Sequence, residues 1–126
     1  MKIAMCSIPV TDPIKAFQFY TKILNFKEHL YLPEYQLAIV ISPEDSQGTS
    51  LLLEPNDNSI NKNYQEGAYN SSLPIIVFST KDINQEYNRL KDLNVTFIKE
   101  PTKQDWGIEA IFDDSCGNYI QLVQIN

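Results

Sequence analysis

An internal duplication constrains this chain more than any other feature of its sequence. Residues 11–26 read TDPIKAFQFYTKILNF and residues 80–95 read TKDINQEYNRLKDLNV. In each copy an apolar run closes on Thr and Asp and a helical stretch follows. The exits Lys22-Ile23-Leu24-Asn25-Phe26 and Lys91-Asp92-Leu93-Asn94-Val95 nearly coincide, and the copies align throughout only with a one-residue shift. Similarity over such a length points to a duplicated supersecondary unit, so both halves are expected to build the same short set of elements.

Local chemistry supports a helix in each copy. Asp12 can accept hydrogen bonds from the first free backbone amides, and Pro13 suits the first helical position, where a missing N–H costs nothing. Ile14, Phe17, Thr21 and Leu24, flanked by Ala16, Tyr20 and Ile23, give a largely apolar face. Asp82 caps the second helix, and Ile83, Tyr87, Leu90 and Leu93 or Asn94 continue its stripe. Asn25 and Asn94 suit left-handed stops. The remaining apolar runs read as strands near 2–9, 26–32, 36–42, 50–54, 74–79, 95–99, 108–113 and 118–124, bounded by turn residues. The order is β-α-β-β-β twice. Residues 55–72, polar and rich in Asn, read as a linker, so one domain of 126 residues is expected to hold modules 1–54 and 73–126.

Composition excludes several function classes. A net charge of −6 and a single arginine, Arg89, disfavour nucleic acid as a partner, since that binding neutralises phosphates with cationic side chains. No run of about 18 apolar residues occurs, so no membrane span is expected. The N-terminus reads as a first strand rather than a signal peptide. Cys6 and Cys116 lie far apart and read as reduced thiols, which makes the cytoplasm the expected compartment. Cys6 lies in an apolar strand and is expected to be buried. Cys116 reads as a structural thiol in a turn, and His29 as a surface or strand-side residue.

Val10-Thr11-Asp12, Ala16-Phe17-Gln18-Phe19-Tyr20 and Leu24-Asn25-Phe26 resemble the V-x-D, A-x-x-F-Y and L-G-F pattern of the vicinal oxygen chelate superfamily. This superfamily includes glyoxalases, bleomycin-resistance proteins and extradiol dioxygenases. Phe112-Asp113-Asp114-Ser115-Cys116-Gly117-Asn118-Tyr119-Ile120-Gln121-Leu122 is similar to its F-x-D-P-D-G-N-x-I-E-L, and Leu51-Leu52-Leu53-Glu54 to the strand closing its first half. The resemblance spans nearly the whole chain. It implies an α+β fold in which two βαβββ modules form a curved mixed sheet around a cavity, with two-fold association into a homodimer.

In metal-dependent members, two His and two Glu or Gln from four strands hold the ion. Counting back from the capping aspartates, the resemblance places the imidazole positions on Met5 and Ile75 and the oxygen donors on Glu54 and Gln121. A shift of two residues, which keeps a side chain on its face, reaches Ser7, Leu73 or Val77, and none is His. Two donors are too few for a transition metal, so neither metal nor other cofactor is expected.

If the sheet curls as in that superfamily, Met5 and Ser7, Leu52 and Glu54, Ile75 and Val77, and Tyr119 and Gln121 share its concave side. Apolar walls with a few polar atoms suit a small organic ligand. The expected site is therefore Met5, Ser7, Glu54, Ile75, Tyr119 and Gln121, with Glu54 approaching Gln121 and Trp106 near the mouth. Glu54 reads equally as a solvated strand end, Gln121 as a sheet-edge residue, and Trp106 and Tyr119 as core cover. Three functions compete: a homodimeric binder of a small organic molecule, a lactoylglutathione lyase-like or dioxygenase-like enzyme, and an interaction module without a ligand. The missing histidines favour the first.

Overall fold

Two capping aspartates and two left-handed asparagines fix where each helix begins and ends. A computed structural model of the chain describes all 126 residues. Asp12 is extended, and its carboxylate accepts from the amides of Ile14 at 2.9 Å and Lys15 at 3.3 Å, opening helix α1 (Pro13–Gln18). Asp82 does the same for α3 (Ile83–Asp92), accepting from Gln85 at 3.1 Å. Asn25 (φ 66°) and Asn94 (φ 65°) reverse the chain after each helix. The first copy has one residue more between its aspartate and its asparagine. A π-helical turn over Phe19–Ile23 absorbs that residue, closed by the Leu24 amide bonding the Phe19 carbonyl at 3.1 Å. This turn accounts for the one-residue shift between the repeats.

The first unit, Met1–Gln65, has strands β1 (Met5–Val10), β2 (Lys27–Leu32), β3 (Leu37–Ile41) and β4 (Ser50–Pro55) in the order β1-β4-β3-β2. β1 and β4 run parallel, and the other pairs are antiparallel. Helix α1 packs on β3 and β4. Its buried residues are Pro13, Ala16 and Phe17, followed by Tyr20 in the π turn. That is i, i+3, i+4, i+7 spacing begun at Pro13, so the apolar face is rotated from the one expected. Ile14 is exposed, and Thr21 hydrogen-bonds back to the Phe17 carbonyl at 2.6 Å. The Phe17 ring stacks on Tyr31, centroids 3.8 Å apart.

The second unit, Glu66–Asn126, repeats the plan with β5 (Pro74–Ser79), β6 (Phe97–Gln104), β7 (Gly107–Asp113) and β8 (Tyr119–Ile125) in the order β5-β8-β7-β6. Helix α3 packs on β6, β7 and β8 through Ile83 and Leu90, and the Ile83 amide donates to the Gln124 side chain at 2.8 Å.

Three features differ from the sequence reading. The polar segment between the repeats contains a twelve-residue helix, α2 (Ser59–Asn70), and the boundary between units falls inside it. Its only buried residue is a glutamine, Gln65, so it carries no apolar stripe for periodicity to detect. Strand β6 runs on to Gln104, because the stretch 102–104 pairs with Gly107–Glu109 of β7 and satisfies its backbone there. The two strands meet in a hairpin at Asp105-Trp106. Gly107 leaves it with φ 154°, where a Cβ would lie 2.1 Å from the Gln124 carbonyl oxygen. Third, Cys6 is exposed rather than buried, since only the last three residues of the edge strand β1 are covered. Cys116 is buried, as a structural thiol should be.

Candidate functional site

In-register partners on neighbouring strands point to the same side of a sheet, so the helix-covered residues identify which side is open. In the first unit Ile8, Leu53, Leu51, Val40 and Ala38 are buried on the helix side. Ser7, Leu52 and Ile39 pair in register on the other side. Met5 and Ser7 are exposed there, and Glu54, opposite Pro9 at the end of β4, is half-buried. Beside this strand end the Gln65 side chain donates to the Pro9 carbonyl at 2.9 Å and accepts from Asn56 at 2.7 Å. His29 lies in a bulge between Glu28 and Leu30 and is exposed, consistent with a surface histidine.

In the second unit Phe112, Ala110, Ile120 and Leu122 are buried on the helix side. The opposite face carries Val77, Gln121, Ile111 and Lys99 in one row across all four strands. Tyr119 and Asp113 form the next row toward the start of β8. Ile75 lies at a register break between Pro74 and Ile76, near Tyr119. Trp106, 42% exposed, sits in the hairpin at the opposite end of β8. The sheet therefore gathers Ile75, Tyr119 and Gln121 toward one end and leaves Trp106 at the other.

Two polar clusters on this face were not anticipated. The Glu109 carboxylate forms an ion pair with Lys99 and accepts from Gln104 at 3.2 Å and from the Gln121 amide at 2.8 Å. Its side chain is only 14% exposed. The Lys99 ammonium holds this carboxyl below its usual range, against the opposing push of burial and with help from Gln121 and Gln104. At the other end Tyr69 of α2 lies parallel to the Tyr119 ring, centroids 4.4 Å apart, and donates its hydroxyl proton to Asp113 at 2.5 Å. The bond to Asp113 leads several effects that push the Tyr69 hydroxyl well above the ordinary tyrosine range. Tyr119 is thus half-covered by a ring from the segment read as a linker.

The Ser115-Cys116-Gly117-Asn118 turn is built around a fully buried carboxylate. Asp114 accepts from the amides of Cys116 at 2.7 Å and Asn118 at 3.0 Å, and from the Asn118 side chain at 3.0 Å. This turn aims β8 so that Tyr119 and Gln121 fall on the open face.

The residues present do not fit the metal that the resemblance implies. The Met5 thioether is at most a weak, soft donor and the Ile75 side chain has none, so the four positions offer just two oxygen donors, Glu54 and the Gln121 carbonyl. No group of three or more His, Cys, Asp or Glu converges as a ligand set.

Residues 2–122 match the model of the Glyoxalase/Bleomycin resistance protein/Dioxygenase superfamily. The chain is 46% identical over 126 residues to protein YurT of Bacillus subtilis (strain 168), covering 98% of this chain and 99% of that one. Among solved structures it is similar to UcmS2, at TM-score 0.80 and 26% identity over 98% of this chain and 97% of that one. It is also similar to TnmS3, an antibiotic binding protein from Streptomyces sp. CB03234, at TM-score 0.76 and 25% identity over 100% and 97% of the two chains.

Proposed function

The chain belongs to the Glyoxalase/Bleomycin resistance protein/Dioxygenase superfamily, and from that premise we propose that it binds a small organic molecule, as a homodimer and without a metal ion. The observation that carries this reading is the make-up of the open sheet faces. Ser7, Leu52 and Ile39 on one, and Val77, Ile111 and Gln121 on the other, offer apolar area beside a few polar atoms, with the charged groups of the second face gathered in the Lys99–Glu109 and Asp113 clusters. A surface of that kind gains affinity from its apolar area and orientation from its few hydrogen-bonding groups. The likeness to an antibiotic binding protein supports a ligand of this class.

Met5, Ser7 and Glu54 on the first sheet, and Ile75, Tyr119, Gln121 and Trp106 on the second, are the proposed ligand-binding residues. A thermal-shift screen of small aromatic and polycyclic compounds tests the reading. Glu54→Ala should weaken binding of a compound so found by about tenfold, the loss of one hydrogen bond to a charged group, while leaving the fold intact. A screen in which no compound raises the melting temperature, or a Glu54→Ala chain of unchanged affinity, would count against the function or against this residue, respectively.

A further inference from the structure

The open face of the second sheet carries apolar side chains at Val77 and Ile111 and, beside them, a polar cluster centred on Glu109. Of the carboxylate's oxygens, Oε1 already accepts from Lys99 and Gln104, whereas Oε2 accepts from Gln121 alone. A carboxylate offers about four acceptor positions, so Oε2 keeps one. The Gln121 amide is committed to Glu109, and no protein donor reaches its carbonyl oxygen. The cluster therefore presents acceptors to a bound molecule. Lys99, the one cation on this row, is already paired with Glu109.

Resting on the reading of this face as a small-molecule site, we propose that Glu109 and Gln121 set its ligand specificity. They select an uncharged, flat and largely apolar molecule carrying a hydroxyl group, and reject the corresponding carboxylate. The ring system lies along Val77 and Ile111, and the hydroxyl donates its proton to Glu109 Oε2 or to the Gln121 carbonyl. A hydroxyl gains a charge-assisted bond there. A ligand carboxylate would meet a fixed negative charge whose counter-ion is already engaged, in surroundings that screen the repulsion less than water does. The net charge of −6 adds to the same discrimination. Glu109 lies on β7, whereas the resemblance drew its ligand positions from other strands.

Three probes on one ring skeleton test the proposal: naphthalene, 2-naphthol and 2-naphthoate, titrated at pH 7 into the full chain. Binding is followed through the NMR shifts of the Gln121 side-chain amide and the backbone amides of β8. We expect 2-naphthol to bind about tenfold more tightly than naphthalene, and 2-naphthoate more weakly than both. In Glu109→Gln, which frees Lys99, the preference between 2-naphthol and 2-naphthoate should narrow or reverse. Gln121→Met, a second variant that keeps the Lys99–Glu109 pair, should lower 2-naphthol affinity while 2-naphthoate remains rejected. Equal binding of the three probes, or wild-type preference for 2-naphthoate, overturns the specificity proposal and leaves the small-molecule reading standing. If no probe moves these signals, both fall.

Discussion

The Gln121 side chain reaches diagonally across β8 and β7 to donate its amide to Glu109 at 2.8 Å. The bond links the position at which the superfamily resemblance places an oxygen donor to a carboxylate that the resemblance does not mention. It holds the Gln121 side chain in place and leaves its carbonyl as the outward acceptor. The consequences of this and neighbouring contacts can be measured.

Glu109 should contribute stability that depends on pH. Its folded carboxyl lies below the ordinary value of 4.5, so the contribution is fully present above about pH 4.5 and is lost as pH falls through the depressed folded value. Urea denaturation should find Glu109→Gln destabilised by about 1 to 2 kcal/mol at pH 7, a loss moderated because Lys99 can turn toward water. Once the pH is below the depressed folded value, the variant and the wild type should converge.

Tyr69 should ionise well above the ordinary tyrosine range. Its hydroxyl is raised above 10.0, chiefly by the bond to Asp113, so its contribution holds below pH 10 and is lost as pH rises through the folded value. Spectrophotometric titration at high pH should show a late-titrating tyrosine that disappears in Tyr69→Phe. That variant keeps the stacking on Tyr119 and should cost about 1 kcal/mol. A titration curve unchanged by Tyr69→Phe at its high-pH end would show that the Asp113 contact is absent in solution.

Elemental analysis of protein purified without a histidine tag should find no stoichiometric zinc, nickel, iron or manganese. The expectation rests on Met5 and Ile75, the positions to which the resemblance assigns imidazoles, and on the absence of any converging group of three or more His, Cys, Asp or Glu. One tightly held ion per chain would reverse it, as would metal-stimulated turnover of a methylglyoxal–thiol adduct.

Light scattering at tens of micromolar should report a homodimer of the 14.5 kDa chain. Each sheet has two edge strands, β1 and β2 in one unit and β5 and β6 in the other. Edges of this kind are usually paired or covered, and two-fold association is the commonest means. A mass near that of a single chain would remove this part of the reading.

Much of the local architecture was legible because it depends on residues close in sequence. A carboxylate just ahead of a helical apolar stripe accepts from the first free amides, so Asp12 and Asp82 marked both helix starts. Asparagine tolerates positive φ better than most residues, so Asn25 and Asn94 marked both ends. With the duplication and the strand periodicity, these signals determined two βαβββ units and, through the resemblance, the family. Helix α2 was missed because it buries a glutamine instead of an apolar face.

The polar clusters could be decided only by tertiary structure, because they join residues far apart in sequence through a register that alternation does not predict. Phe97 and Lys99 are two residues apart, so a regular strand would place both on the helix side. A bulge sets Phe97 opposite Phe112 but Lys99 opposite Ile111, which turns the ammonium to the open face beside Glu109. A second bulge between Lys99 and Thr102 brings Thr102 opposite Glu109 and lets Gln104 reach the same carboxylate. Tyr69 meets Asp113 and Tyr119, at sequence separations of 44 and 50, only once the chain between them is folded back. Caps and stops follow from the residues beside them, whereas the surroundings of Glu109 follow from how two strands slip past each other.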